Sequence, residues 1–196
     1  MCIDAETSLA SFIIGEATGL LLILSGKKEK QAIGLYIMFY SFIQLFEYNI
    51  YNNNNISLNS NLIIINLAIQ GLLFFIAMKN VCEINNNYIY ISLFIILCTF
   101  FIMIYTKQND AKIEKCIKWT FLHNEYKILF SLMYMSMFYL LFFDKCGQNN
   151  NFLNKTGWFF VITYIFSIII GILSDKALSF WCLLSAVAAP ILLFVN

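Results

Sequence analysis

Long apolar stretches alternate with short polar breaks along the whole chain. A helix needs roughly 20 apolar residues to cross the hydrocarbon core of a bilayer, which is about 30 Å thick. Seven stretches approach this length, and they cover residues 9–25, 31–51, 62–78, 88–105, 127–143, 157–173 and 177–195. The pattern therefore predicts seven membrane-spanning helices joined by short loops.

The same pattern indicates the fold class and the domain organisation. Continuous apolar runs are typical of helices, whereas a membrane β-barrel shows alternating segments of about ten residues. Lysines follow the first run instead of preceding it, and Glu16 interrupts it, so we do not expect a cleaved signal peptide. We predict an all-α, polytopic membrane protein: a seven-helix bundle that forms a single domain over residues 1–196.

Composition and charge support this class and exclude others. Apolar residues make up 61% of the chain and charged residues 12%, whereas soluble domains average about 45–50% and about 25%. Such an apolar chain is not disordered, and a net charge of +1 gives no electrostatic footprint for nucleic acid. The expected partner is the lipid bilayer, with a small solute or ion and a second copy of the chain left open.

The lysines give a weak indication of orientation. Lys27, Lys28 and Lys30 crowd the first loop, while Asp4 and Glu6 precede the first span. Lysine near span ends favours the cytoplasmic side, so we expect a non-cytoplasmic N-terminus and a cytoplasmic C-terminus. Over the whole chain the twelve lysines divide equally. If the spans alternate, one face of the membrane carries lysines 27, 28, 30, 79, 145 and 155. The other face carries lysines 107, 112, 115, 118, 127 and 176.

Cysteine and histidine give no clear metal or disulfide signal. The six cysteines are scattered without a CxxC pair, at positions 2, 82, 98, 116, 146 and 182. Such spacing is not typical of a disulfide framework or of a metal finger. His123 is the only histidine, which excludes zinc sites built from two or three histidines. No metal site is predicted, and no cofactor can be named.

Polar side chains inside the apolar stretches are the first candidates for function. Glu16 falls near the middle of the first span, and Glu47 lies about one turn from the end of the second. Gln44 shares a helix face with Glu47, and Asn66 and Gln70 form an amide pair on the third span. Ionisable groups within a bilayer are costly and therefore suggest function. Alternatively, each of these groups is a hydrogen-bonded structural residue.

Alternation of the spans brings most of the candidates to one face of the membrane. This is the face of the N-terminus, and a pocket there would combine thiol, carboxylate, amide and imidazole groups. Removal of Met1 would give Cys2 a free α-amine beside its thiol, a competent chelator or nucleophile. The candidate residues of this polar site are Cys2, Glu6, Gln44, Glu47, Asn66, Gln70, His123, Trp181 and Cys182.

Small residues on the first span predict a close helix contact. Ser11, Gly15 and Gly19 are spaced four apart and so share one helix face. Small side chains at this spacing let the backbones of two membrane helices approach each other closely. We therefore expect a neighbouring helix to pack against this stripe.

Two segments resemble a known family. The chain opens Met1-Cys2-Ile3-Asp4-Ala5-Glu6-Thr7-Ser8, and the second span ends with Gln44, Glu47 and Tyr51. The opening resembles the Met-Cys-Phe-Ser-Ala-Glu-Ala-Ser start of an uncharacterised family of small multi-span membrane proteins, found in bacteria with relatives in giant DNA viruses. Five of these eight positions match. The family also has Gln-x-x-Glu followed by an aromatic residue, usually Trp, at the end of its second span.

The resemblance covers the first quarter of the chain and, faintly, Trp181-Cys182 in the last span. Ile43 and Tyr48 depart from the family pattern near Glu47, where the family has Gln and Gly. The resemblance implies no activity or cofactor. It does imply a shared polar site, whose residues would be Cys2, Glu6, Gln44, Glu47, Trp181 and Cys182. The bias toward Asn, Lys and Ile would suit an A/T-rich viral or protist source.

Three functions remain open from the sequence. The first is binding or transport of a small solute or ion through the polar site, with Glu47 and Gln44 facing a cavity. The second is a structural or assembly protein of a cellular or viral membrane, whose polar residues fix helix register. The third is a membrane-embedded enzyme that uses Cys2 or Glu47. The sequence favours binding or transport.

Overall fold

The part of the chain that the structure describes consists mainly of long helices. The structure, a computed structural model, describes residues 4–105, 112–113, 117–118, 124–174 and 187–195. The elements are α1 (Ala5–Leu24), α2 (Lys28–Tyr51), α3 (Ile56–Lys79), α4 (Asn87–Tyr105), β1 (Lys112–Ile113), β2 (Ile117–Lys118), α5 (Asn124–Phe142), α6 (Lys145–Gln148), α7 (Asn151–Ser174) and a 3-10 helix (Ala189–Phe194). The two short strands pair antiparallel. The helical class expected from the apolar pattern is confirmed.

Six of the seven expected spans coincide with long helices. Two of these helices, α3 and α7, begin six residues before the apolar stretch does. Their first turns, residues 56–59 and 151–154, mix polar and apolar side chains. Neither the short α6 nor the β1–β2 pair was expected from the sequence. The seventh span, 177–195, lies mostly outside the described residues, and Ala189–Phe194 forms a 3-10 helix.

Polar side chains start several of the helices. Asp4 precedes α1, and its Oδ1 accepts the backbone N–H of Thr7 at 2.8 Å. This hydrogen bond lowers the pKa of the Asp4 carboxyl, because it stabilises the charged form. Asp144 and Asn150 accept backbone N–H groups in the same way at the starts of α6 and α7. These three helices therefore start where a side-chain oxygen accepts a backbone N–H that has no partner within the helix.

The outer surface suits a lipid environment. Among the described helices, α1, α3 and α4 are long and apolar enough to cross a membrane, and Ile128–Phe142 of α5 is a shorter apolar stretch. Large apolar side chains cover the outside of the bundle. Ile104 is 76% exposed, for example, and Leu97 is 68% exposed. Contiguous exposure of this kind is rare on proteins dissolved in water. The fold is consistent with an integral membrane protein.

The helices α1 and α2 pack closely against each other. The buried face of α1 contains Ser11, Gly15 and Gly19, which confirms the expected small-residue stripe. A Cβ atom on Gly34 of α2 would lie 2.6 Å from the carbonyl oxygen of Gly19, and one on Gly19 would lie 2.7 Å from that of Gly34. The two backbones therefore touch where neither residue has a side chain.

The first four helices run alternately up and down. The loops between them are short, and cross-helix pairs such as Gln31 with Ile23 and Ser41 with Glu16 fit an antiparallel register. We call the end that holds Asp4 and the turn 52–55 the N-terminal end. The opposite end holds the turn 25–27, the loop 80–86 and α6. Each polar residue described below can then be assigned to one level of the bundle.

An aromatic cluster lies in the core where α2, α3 and α7 meet. Tyr36 of α2 contacts Phe74 of α3 edge to face, with ring centroids 5.4 Å apart, and Phe160 of α7 at 5.7 Å. All three rings are buried. Such edge-to-face contacts add about 0.5–1.5 kcal/mol each beyond burial itself. This aromatic cluster lies toward the opposite end, so the polar residues of α2 occupy the part of the bundle nearer the N-terminal end.

Candidate functional site

A chain of hydrogen bonds links three helices inside the bundle. The Tyr134 hydroxyl of α5 donates to Gln70 Oε1 of α3 at 2.8 Å, and Gln70 Nε2 donates to Asn66 Oδ1 at 2.7 Å. Asn66 Nδ2 then donates to the carbonyl oxygen of Phe39 in α2 at 3.0 Å. The side chains of Tyr134, Gln70 and Asn66 are all buried. The amide pair expected on the third span is therefore a bridge between α5 and α2.

Gln44 and Glu47 lie one turn apart on the buried side of α2. Gln44 is 0% exposed and Glu47 is 1% exposed. Asn49 pairs with Asn59, and Phe39 pairs with Asn66, so Gln44 and Glu47 occupy levels between these two pairs at the α2–α3 contact. The structure thus places both residues inside the bundle, about two turns or less from the last residue of α2, which lies at the N-terminal end of the bundle.

The amide of Gln44 is an exception among the buried polar groups. Within the described part of the chain, neither its Nε2 nor its Oε1 has a hydrogen-bond partner. A buried amide atom without a partner destabilises a fold by about 1–3 kcal/mol. An amide has both a donor and an acceptor to offer. A polar group that enters the bundle at this level would meet both.

Glu16 is joined to α2 at another level. Ser41 Oγ lies 2.5 Å from Glu16 Oε1 and 2.8 Å from the carbonyl oxygen of Met38. A hydroxyl has one proton, so Ser41 donates to only one of these oxygens at a time. The midspan carboxyl therefore has a structural partner across the α1–α2 contact, which is the alternative that the sequence left open for it.

Of the five other candidate residues, the structure describes Glu6 alone. Glu6 is exposed near the start of α1, at the N-terminal end. Cys2, His123, Trp181 and Cys182 lie outside the described residues. Across the ranges that the structure describes, no group of three or more His, Cys, Asp or Glu residues lies close enough to hold a metal ion. Among the candidate residues that the structure describes, Gln44 and Glu47 lie one turn apart on α2, and Asn66 and Gln70 are hydrogen-bonded to each other on α3.

A disulfide bond is the main feature that the sequence analysis missed. Cys82, just after α3, is bonded to Cys146 in α6, with Cα atoms 5.8 Å apart. The cysteine spacing gave no disulfide signal, and this expectation is wrong for these two residues. A usable signal was present, since alternating spans put both cysteines in loops at the same end of the bundle. Cys98 on α4 is a free thiol.

Lys30 is buried at the opposite end. It is 7% exposed, and its Nζ lies 3.5 Å from the carbonyl oxygen of Leu193 and 5.3 Å from the ring centre of Phe152. A carbonyl oxygen and an aromatic face both stabilise a cation in a partly desolvated place. Lys30 thus ties the C-terminal segment and the start of α7 to the start of α2.

An apolar groove between α4 and α5 is distinct from the polar cluster. It encloses about 560 Å³ and is lined by Phe94, Leu97, Cys98, Phe101, Ile128 and Leu129, with Glu125 and Ile102 also contributing. Most of its walls are side chains exposed on the outside of the bundle. A groove of this composition is suited to lipid chains, and it contains none of the buried polar residues described above.

Replacing Tyr134 with phenylalanine should test whether the hydrogen-bond chain stabilises the bundle. The change removes the donor to Gln70 Oε1 and leaves that oxygen buried. We expect a loss of about 1–2 kcal/mol in the free energy of unfolding, measured by denaturant titration in mixed micelles. Tyr139→Phe is the matched control, because Tyr139 lies on the same helix and is 55% exposed. Equal stability of the two variants would contradict a structural role for the chain.

Comparisons with known proteins identify no relative. No protein-family model matches the chain, and searches of curated proteins and of solved structures found no significant similarity. The resemblance of the opening residues and of the Gln44–Glu47 segment to a bacterial family is therefore neither supported nor opposed, and it stays an expectation. A functional interpretation depends on the geometry of the buried polar residues.

Proposed function

We propose that the protein is a seven-span membrane protein that binds or conducts a proton or a small monovalent cation at Gln44 and Glu47. The spanning arrangement is supported by α1, α3 and α4, which are each long and apolar enough to cross a membrane. The C-terminal segment supports a seventh crossing. Leu193 lies beside Lys30 and near Phe152, at the end of the bundle where α7 begins, and α7 is 24 residues long.

One observation carries the functional proposal: the buried amide of Gln44 lies one turn from the buried carboxyl of Glu47. The amide offers an acceptor oxygen and a donor nitrogen that the described residues leave unused. A carboxyl group held inside a membrane bundle requires a proton, a cation or strong hydrogen bonds. Together the two side chains provide oxygen ligands for a small cation, or a route for a proton.

Burial limits the size of the ligand. Gln44 is 0% exposed and Glu47 is 1% exposed, so a solute of more than a few atoms would require the helices to separate. A proton or a small monovalent cation requires much less rearrangement. Glu47 lies about one turn from the end of α2, which leaves a short path to water at the N-terminal end.

Changing Glu47 to Gln should abolish most of the flux. Purified protein would be reconstituted into lipid vesicles that contain a pH-sensitive dye, or in parallel a sodium-sensitive dye, and an imposed potential would drive entry. We expect Glu47→Gln to lower the initial rate at least tenfold for the ion that is conducted, because the neutral amide neither releases a proton nor balances a cation. Gln44→Leu should also lower the initial rate.

The control is Glu83→Gln, which removes an exposed carboxyl at the opposite end and should leave the rate unchanged. Vesicles with wild-type protein that show no proton or sodium entry above empty vesicles would contradict conduction. A rate that is equal in wild type and Glu47→Gln would contradict the assignment to this residue.

A structural role is the second candidate, and the hydrogen-bond chain through Asn66, Gln70 and Tyr134 favours it. A chain with each amide bonded to its neighbour fixes the register of three helices and needs no ligand. In this case Gln70→Leu would lower stability while Glu47→Gln would have little effect on any flux. The enzyme hypothesis, which uses Cys2 or Glu47, stays a prediction, because Cys2 lies outside the described residues.

A further inference from the structure

The disulfide bond lies entirely at one end of the bundle. Cys82 follows the last turn of α3, and Cys146 belongs to the short α6 between α5 and α7. Both segments are at the opposite end, away from Gln44 and Glu47. The Asp144 side chain caps α6 by accepting the backbone N–H of Cys146 at 3.0 Å, and also accepts the hydroxyl of Tyr88 at 3.3 Å. The loop after α3, the start of α4 and α6 are therefore held together at this end.

Formation of this bond requires an oxidising compartment. The two thiols lose two protons and two electrons, and a thiol-disulfide oxidoreductase in its disulfide form accepts them and is reduced to a dithiol. Such oxidants act outside the cytosol. In the cytosol, thiols are kept reduced. A disulfide at one end of a membrane bundle therefore reports which side of the membrane that end occupies.

The burial of Lys30 weakens the lysine count, which had favoured a cytoplasmic location for the opposite end. The lysine count was equal, six to six, and the cluster of Lys27, Lys28 and Lys30 decided the expected orientation. Lys30 is 7% exposed, and its charge is held by a carbonyl and a ring instead of by lipid headgroups. Without Lys30, the expected alternation of spans gives five lysines to the face of the opposite end and six to the other face. The lysine count then no longer favours a cytoplasmic location for the end that contains the disulfide.

We infer that the opposite end, with Cys82 and Cys146, faces the extracytoplasmic side, and that the N-terminal end faces the cytoplasm. This is the reverse of the orientation expected from the first loop. Glu47 and the end of α2 then open toward the reducing, cytoplasmic side. The inference rests on the disulfide and on Lys30 and not on the proposed ion site, so either can fail while the other holds.

The first experiment establishes the bond. Protein from native membranes would be alkylated with excess iodoacetamide under denaturing, non-reducing conditions, and its intact mass would be measured before and after reduction. We expect two additional alkyl groups after reduction, and peptide mapping should assign both to Cys82 and Cys146. Full alkylation without reduction, or a bond between other cysteines, would overturn the inference.

The second experiment measures sidedness in intact cells that express the protein in the plasma membrane. Two reporter variants, Lys28→Cys and Asn54→Cys, place single thiols at exposed positions of the opposite end and the N-terminal end. Both are made with serine at the four cysteines 2, 98, 116 and 182, so the disulfide is retained. A membrane-impermeant maleimide should label Lys28→Cys from outside and Asn54→Cys only after detergent is added. Any other pattern overturns the inference.

Discussion

Replacing Gly34 with leucine should separate α1 from α2 and lower the free energy of unfolding by about 3 kcal/mol, the upper part of the range for overpacked cores. A Cβ atom at this position lies 2.6 Å from the carbonyl oxygen of Gly19 and 3.0 Å from the Cβ of Leu22. The first contact is with backbone, which cannot rotate away. The helices must therefore move apart and lose contact along the whole stripe.

Denaturant titration of the purified protein in micelles would measure the effect. Gly34→Ala should show a smaller loss in the same direction, because it introduces the Cβ alone. Ala10→Leu is the matched control, since Ala10 is exposed on α1 and the added side chain would face lipid. A Gly34→Leu variant as stable as Ala10→Leu would contradict the close backbone contact.

Removing the disulfide should lower the free energy of unfolding by a similar amount. For Cys82→Ser we expect unfolding to become easier by about 2–4 kcal/mol, the typical range for a native disulfide. The bond closes a loop with a sequence separation of 64 that contains α4 and α5. Without the bond, α6 and the loop that follows α3 are free to separate in the unfolded ensemble. The measurement is the unfolding midpoint with and without a reducing agent.

Two comparisons make this test specific. Wild type in reducing agent should match Cys82→Ser without it, and reducing agent should not change the variant further. Cys98→Ser is the control, because Cys98 is a free thiol. If wild type were insensitive to the reducing agent while Cys82→Ser was destabilised, the loss would come from packing at position 82 and not from the bond.

The helices could be located from the sequence because their apolar stretches are long. Their ends could not, since a helix start depends on local capping. α7 begins after Asn150, whose side chain accepts the N–H of Leu153 at 3.1 Å, and not at the first apolar residue. The α1–α2 contact was predictable on one side only. The stripe that includes Gly19 was visible as a repeat, whereas its partner Gly34 is an isolated glycine.

The candidate site could be predicted in part for a similar reason. Gln44 and Glu47 stand out as polar residues in an apolar stretch, and both are buried. Their surroundings could not be predicted, because they depend on how each helix is rotated about its axis. Tyr134 is one of eleven tyrosines, and nothing in its sequence context separates the one that bonds Gln70 from those that face lipid.

The close contact between α1 and α2 has a consequence for the order of assembly during synthesis. Its partners are near one another in sequence, Gly19 with Gly34 and Glu16 with Ser41. Local contacts form quickly, and N-terminal segments emerge from the ribosome first. We expect α1 and α2 to enter the membrane as a paired hairpin, on which α3 and the later helices assemble. The Cys82–Cys146 bond would close late, after α5 has been made.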